Sequence, residues 1–100
     1  MYISMNRFQI HSGREKAFEK VWSERDSYLD EVAGFREFYL LRGETTDGIT
    51  PYVSHTLWDS QAAFQDWTDS ESFRKAHSQA RTPEGTVAGP PVFEGYEIVL

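Results

Sequence analysis

The sequence contains no cysteine among its 100 residues. Disulfides, thiolate zinc sites, iron–sulfur clusters and cysteine nucleophiles are therefore excluded together. A transition metal would have to be held by carboxylates or by the three histidines, which are His11, His55 and His77.

Positive charge is also scarce, because ten basic residues stand against sixteen acidic ones and leave a net charge of −6. A chain of that sign is not expected to bind nucleic acid by neutralising phosphates. No segment approaches the roughly 20 apolar residues of a membrane span, and the first residues lack the basic and apolar regions of a signal peptide. A cytoplasmic protein is the default expectation.

Aromatic residues, by contrast, are abundant and make up 15% of the chain. That apolar content excludes intrinsic disorder and indicates either large buried faces or a flat, apolar ligand site. A chain of 100 residues is long enough for one domain and too short for two, so we expect a single domain over residues 1–100.

The sequence of the first half of the chain predicts a strand, a helix and a hairpin. Residues 2–11 carry apolar side chains on both parities, which predicts a strand partly buried on both faces. Ser12 and Glu15 have capping-box spacing, and the apolar spacing behind them predicts a helix to about residue 32, before Gly34. An Asp-Gly turn signal then joins two predicted strands, at 35–43 and 51–59.

The second half predicts two helical pieces, a loop and a strand. Asp59 or Ser60 caps the first piece, and a second capping box at 68–71 divides a helix ending near Trp67 from one at 69–80. Residues 81–91 hold three of the four prolines and predict a loop, and the closing VFEGYEIVL predicts a strand.

The predicted order β-α-β-β-α-β is typical of a ferredoxin-like α+β fold, with both helices on one face of an antiparallel sheet. Two helices cover only one sheet face, yet the strands are apolar on both. We therefore expect a homodimer in which the two sheets close face to face.

Few residues are placed to carry chemistry. Asn6 shares a parity with Tyr2, Phe8 and Ile10, so its amide either bonds to neighbouring backbone or points into an apolar pocket. His77 lies on the last predicted helix, one turn after Phe73 and beside small alanines. It is either a packing residue or a ligand with room for the ring of a cofactor.

Two tryptophans accompany these residues at helical spacing. Trp22 and Trp67 have the spacing of core aromatics, and a break at 68–70 would let Trp67 and His77 converge on one ligand. Nucleophile motifs, paired catalytic carboxylates and glycine-rich phosphate loops are not recognisable. The residues alone thus predict an aromatic pocket with one amide and one candidate histidine ligand, and they name no reaction.

Nearly the whole chain resembles the antibiotic biosynthesis monooxygenase superfamily, and within it the heme-degrading monooxygenases of the staphylococcal type. The segments that carry the resemblance are MNRFQIHSGREKAFEKVW, DEVAGFREFYLLRG, SHTLWDSQAAFQDWTDSESFRKAH and the closing strand. Its specific part is a triad of an Asn on the first strand, a Trp ending the first helical piece and a His ten residues later. These are Asn6, Trp67 and His77.

The resemblance implies a dimeric α+β barrel that uses heme as both substrate and cofactor, opens the porphyrin at a meso carbon and releases iron. His77 would be the axial iron ligand, Asn6 a hydrogen-bond donor where oxygen is activated, and Trp67 the residue that presses on the porphyrin. Phe73, Trp22 and Arg25 would complete the heme contacts, with Arg25 near a propionate. The reaction also needs O2 and electrons from a reductase or small reductant, because the chain has no flavin or nicotinamide motif.

Three alternatives remain open at the level of sequence. One is a cofactor-independent, quinone-forming monooxygenase of the same superfamily, which needs no histidine ligand. The second is a heme carrier that binds through His77 without turnover, and the third is a structural dimer module without a ligand.

Overall fold

A computed structural model describes residues 1–24, 29, 32–70 and 83–100. Within them lie β1 (Tyr2–His11), α1 (Glu15–Glu24), β2 (Phe35–Arg42), β3 (Ile49–Trp58), α2 (Gln61–Thr68) and β4 (Val92–Glu97). The strands pair into one antiparallel sheet of order β2-β3-β1-β4, on which the two helices pack. The predicted ferredoxin-like α+β fold is confirmed.

The start of α1 differs from the predicted capping box. Ser12 does not form it, because its backbone N–H donates to the carbonyl of Gly48 at 2.9 Å and holds it at the end of the sheet. Gly13, with φ of +95°, turns the chain away from the sheet. The carboxylate of Glu15 therefore accepts from the backbone N–H of Gly13 at 2.7 Å, and the first helical carbonyl is that of Arg14.

The end of α1 also differs, because the described helix covers Glu15–Glu24 and residues 29 and 32 are not part of it. The backbone N–H of Val32 donates to the carbonyl of Leu29 at 3.0 Å, the three-residue bond of a tight turn. Both side chains still pack in the core, which is why the apolar spacing persists beyond the helix. Residues 25–28 and 30–31, which the prediction also covered, lie outside the described residues.

The hairpin between β2 and β3 follows the prediction. Asp47 and Gly48 have φ values of 54° and 78°, the positive pair expected of a type I′ turn. The turn is tight enough that β3 begins at Ile49, two residues earlier than predicted.

Helix α2 begins at the predicted cap, where the side chain of Ser60 accepts from the backbone N–H of Ala63 at 3.2 Å. It ends at Thr68, whose hydroxyl donates back to the carbonyl of Gln65 at 2.8 Å. Asp69 is the C-cap, so the predicted second helix does not start there. The remainder of that prediction, from residue 71, lies outside the described residues.

The last segment is a loop and a short strand. Of the loop predicted at 81–91, residues 83–91 contain no helix or strand, although Val87 makes an isolated bridge to Ile10, and residues 81–82 lie outside the described residues. Strand β4 ends at Glu97 and not at the final residue, although the backbone N–H of Ile98 still donates to the carbonyl of Met1 at 2.9 Å.

The core occupies the helix-facing side of the sheet and has two parts. The α1 cluster is centred on the buried residues Ile10, Phe18 and Tyr52. The α2 cluster is centred on Tyr2, Leu29 and Trp58. Even-numbered residues of β1 and β3 supply the sheet side of both clusters, so the odd-numbered residues form the opposite face, called here the open face.

Candidate functional site

Asn6 lies at the middle of β1, on the helix-facing side of the sheet. Its neighbours across the two flanking strands are Ser54 on β3 and Phe93 on β4. Its side chain is half-buried and makes no hydrogen bond within the residues that the structure describes. The backbone partner considered from sequence is therefore not used, and the amide is available to a ligand.

The α1 cluster borders this position on one side. Phe8, two residues after Asn6 on the same face, contacts Trp22 with ring centroids 5.8 Å apart. Trp22 also stacks on Phe38, at 5.7 Å and an interplanar angle of 22°. Trp22, one of the predicted heme contacts, is thus half-buried and packs against aromatic rings on the α1 side of Asn6.

The α2 cluster borders Asn6 on the other side and contains Trp67. The Trp67 ring lies 5.6 Å from that of Trp58, which is fully buried. The Trp58 Nε1–H donates to Ser4 Oγ at 3.0 Å, and Ser4 is two residues before Asn6 on the same face. The indole of Trp58 thereby connects Trp67 to the strand that carries Asn6.

Between the two aromatic clusters the floor of the sheet is made of small polar side chains. Ser4 pairs in register with Thr56, and Asn6 pairs with Ser54. We infer that these short side chains leave a slot between the bulkier residues of the two clusters. Ser54 and Thr56 were missed from sequence, although small polar residues at alternate positions between Tyr52 and Trp58 are the signal that could have identified them.

A second group missed from sequence joins α1 to the edge of the sheet. Glu19 Oε2 accepts from the Tyr52 hydroxyl at 2.5 Å and from Arg42 Nη1 at 3.0 Å. Burial raises the pKa of Tyr52 to about 12, and the bond to Glu19 adds to the rise. The phenol therefore remains a donor at neutral pH.

This group lines a cavity of about 550 Å³ between α1 and β2. Its walls are Trp22, Phe38 and Leu40 on the apolar side and Glu19, Ser23, Arg42 and Tyr52 on the polar side. Neither Asn6 nor Trp67 is among the described lining residues, so the cavity adjoins the slot without containing it.

Three predicted site residues have no described position. His77, Phe73 and Arg25 lie outside the described residues, so their convergence with Asn6 and Trp67 stays a prediction.

Within the described residues, no helix is long and apolar enough to cross a membrane.

Comparison with known proteins decides the family. The family model described as antibiotic biosynthesis monooxygenase matches residues 1–79. The chain belongs to this family. The curated heme-degrading monooxygenase of Halalkalibacterium halodurans is 31% identical over 85 residues, which span 84% of this chain and 72% of that protein.

Solved structures of the antibiotic biosynthesis monooxygenase fold superpose closely on the chain. The heme-degrader MhuD of Mycobacterium tuberculosis, with two hemes bound in its active site, gives a TM-score of 0.77 at 25% identity, covering 100% of this chain and 97% of that one. SnoaB of Streptomyces nogalater, a cofactor-independent oxygenase, gives a TM-score of 0.68 at 17% identity, covering 99% and 94%. The fold is therefore shared by relatives with different chemistry.

Proposed function

We propose that the chain is a heme-degrading monooxygenase, with heme as both substrate and cofactor. The observation that carries the proposal is the amide of Asn6. It has no hydrogen-bonding partner within the described residues, and it faces a slot between two aromatic clusters. Because the amide is half-buried and has no partner among the described residues, it can donate to a ligand that enters the slot.

The described residues fit a flat, apolar macrocycle. Trp22 and Phe8 border the slot on the α1 side, and Trp58 and Trp67 border it on the α2 side. Aromatic walls favour a planar apolar ligand, and a placed amide donor stabilises negative charge that develops on oxygen. The slot thus supplies both the apolar contact area and the polar group that such a ligand requires.

Each proposed role is assigned to a residue of this chain. Asn6 donates a hydrogen bond from the sheet side, Trp67 presses on the ring from α2, and His77 holds the iron. Trp22, Phe73 and Arg25 provide further contacts, with Arg25 near a propionate. Bound heme would supply the iron that activates O2, with electrons from an external donor such as a reductase or small reductant.

The relatives support heme in preference to a cofactor-independent reaction. The relative named as heme-degrading is 31% identical to this chain, whereas the cofactor-independent SnoaB is 17% identical and shows the fold alone. A cofactor-independent oxygenase remains the second candidate, and a heme carrier without turnover the third.

A heme titration followed by reductant in air tests the proposal and separates these candidates. The wild-type chain should bind heme with the Soret absorption of a histidine ligand and lose that absorption when ascorbate is added in air. Binding without bleaching would indicate a carrier, and no binding would exclude both heme functions and leave the cofactor-independent oxygenase and the structural module.

Three variants then separate the roles of the triad. His77→Ala should lose the spectrum of histidine-bound heme together with turnover. Asn6→Ala should bind heme but degrade it about 10²–10³ times more slowly, the effect typical of losing one placed donor. Trp67→Ala should retain binding and slow degradation less. His55→Ala is the matched control, because His55 lies on the open face of β3 and should bind and degrade heme as wild type does.

A further inference from the structure

Ser54 occupies an unusual position for a serine. It lies in the middle of β3, only 5% exposed, with strands paired on both sides. Its hydroxyl makes no hydrogen bond within the residues that the structure describes. Its oxygen is also not among the fully buried polar atoms that lack a partner, so the hydroxyl is accessible and can donate to a ligand.

The register of the sheet places this hydroxyl beside Asn6. Residues directly opposite in antiparallel strands have Cβ atoms about 5 Å apart. The side chains of Ser54 and Asn6 therefore project as neighbours from the same face of the sheet. Neither side chain bonds to the other in the structure. Two hydrogen-bond donors, one hydroxyl and one amide, therefore face the same slot with their bonding capacity free.

We propose that Ser54 and Asn6 together form a two-donor site for a small oxygen or nitrogen anion in the slot. This inference rests on the proposed function, because it assigns to Ser54 a second hydrogen bond at the side of the slot where Asn6 acts. Two donors from adjacent strands of one sheet are fixed relative to each other, so they stabilise negative charge on a shared acceptor without reorganising.

Azide binding to the ferric heme-loaded protein measures this site without turnover. Heme loading is first measured for each protein by Soret absorption, and the loaded protein is then titrated with azide. Ser54→Ala should bind heme as wild type does and bind azide about tenfold more weakly, the effect of losing one hydrogen bond to a charged acceptor. Asn6→Ala should weaken azide binding to a similar extent.

Two further variants test whether the hydroxyl of Ser54 itself is responsible for the change in azide affinity. Ser54→Thr restores a hydroxyl at the same position and should recover most of the azide affinity. Thr56→Val is the matched control, because Thr56 is 8% exposed on the same strand and face but lies opposite Ser4 and not Asn6. It should bind azide as wild type does.

Each outcome decides the proposal. Equal azide affinity in Ser54→Ala and wild type would overturn the two-donor site alone, and so would an equal loss in Thr56→Val, since general polarity of the floor would then explain the effect. Failure of the wild-type chain to bind heme would overturn the proposed function together with this inference.

Discussion

The two faces of the sheet bury their residues very differently. On the helix-facing side, Tyr52 and Trp58 of β3 are at most 1% exposed. On the open face of the neighbouring β2, Tyr39 is 52% and Leu41 is 47% exposed. Both faces are apolar in sequence, yet only one carries a helix among the residues that the structure describes.

This difference indicates that the two faces have separate tasks. The helix-facing side places polar side chains between aromatic clusters, which is the arrangement that the proposed heme site requires. The open face presents apolar side chains from all four strands, including Val92 and Tyr96 of β4, and among them lie His55 and the ion pair of Arg7 with Glu94. Contiguous apolar surface of this kind is typical of an interface between proteins.

The largest expected effect comes from charging the open face. We expect a homodimer whose sheets face each other and bury roughly 2,000 Å² or more in total. Leu41→Glu would place an unpaired carboxylate in each half of that interface, at a cost of several kcal/mol per carboxylate. The dissociation constant should rise by about a thousandfold or more.

Sedimentation at micromolar concentration measures this change. The wild-type chain should sediment at about twice 11.6 kDa, and the variant as a monomer. Gln65→Glu, which adds the same charge at an exposed position of α2, should remain dimeric. A wild-type monomer would show that the open face has another partner or none.

Sequence patterns located the elements well because they depend on local rules. The Asp47-Gly48 turn and the Ser60 cap were predicted correctly, since each requires only a few adjacent residues with particular backbone preferences. The capping role of Ser12 was predicted wrongly, because its backbone N–H donates to the carbonyl of Gly48, a residue distant in sequence. Local patterns carry no information about a competitor that is remote in sequence.

The site was less predictable, because it depends on strand register. Asn6 was singled out from its strand parity and Trp67 from its helical spacing, and the family resemblance added their expected roles; the structure gives the positions of both. Ser54 could not be recognised as the neighbour of Asn6 until the pairing of β1 with β3 was known. The bonds of Glu19 to Tyr52 and Arg42 likewise join residues more than twenty positions apart.

An intermediate effect is expected from the buried indole of Trp58, which tests the helix-facing side. Trp58→Phe removes the bond to Ser4 and leaves a small cavity, so the free energy of unfolding should fall by about 2 kcal/mol. Ser4→Ala leaves the Nε1–H without its acceptor and should cost about 1–3 kcal/mol. Urea denaturation measures both.

Its control lies one residue away on the open face. Leu57→Ala in the monomeric Leu41→Glu background should cost less than about 1 kcal/mol, because that position is then open to water. Equal losses for Trp58→Phe and Leu57→Ala would remove the distinction between the two faces.

The smallest expected effect is a dependence of stability on alkaline pH through Tyr52. Its pKa is raised from the ordinary 10 to about 12, first by burial and then by the bond to Glu19. Between these values the unfolded chain releases the phenol proton while the folded chain retains it, so stability is fully present below pH 10 and falls as the pH rises toward 12. Tyr52→Phe should cost about 1 kcal/mol at neutral pH and flatten this alkaline decline, as measured by urea denaturation across the range. Tyr39→Phe, which removes a phenol from the open face, is the matched control. A decline as steep in Tyr52→Phe as in wild type would show that a group other than the phenol of Tyr52 causes it.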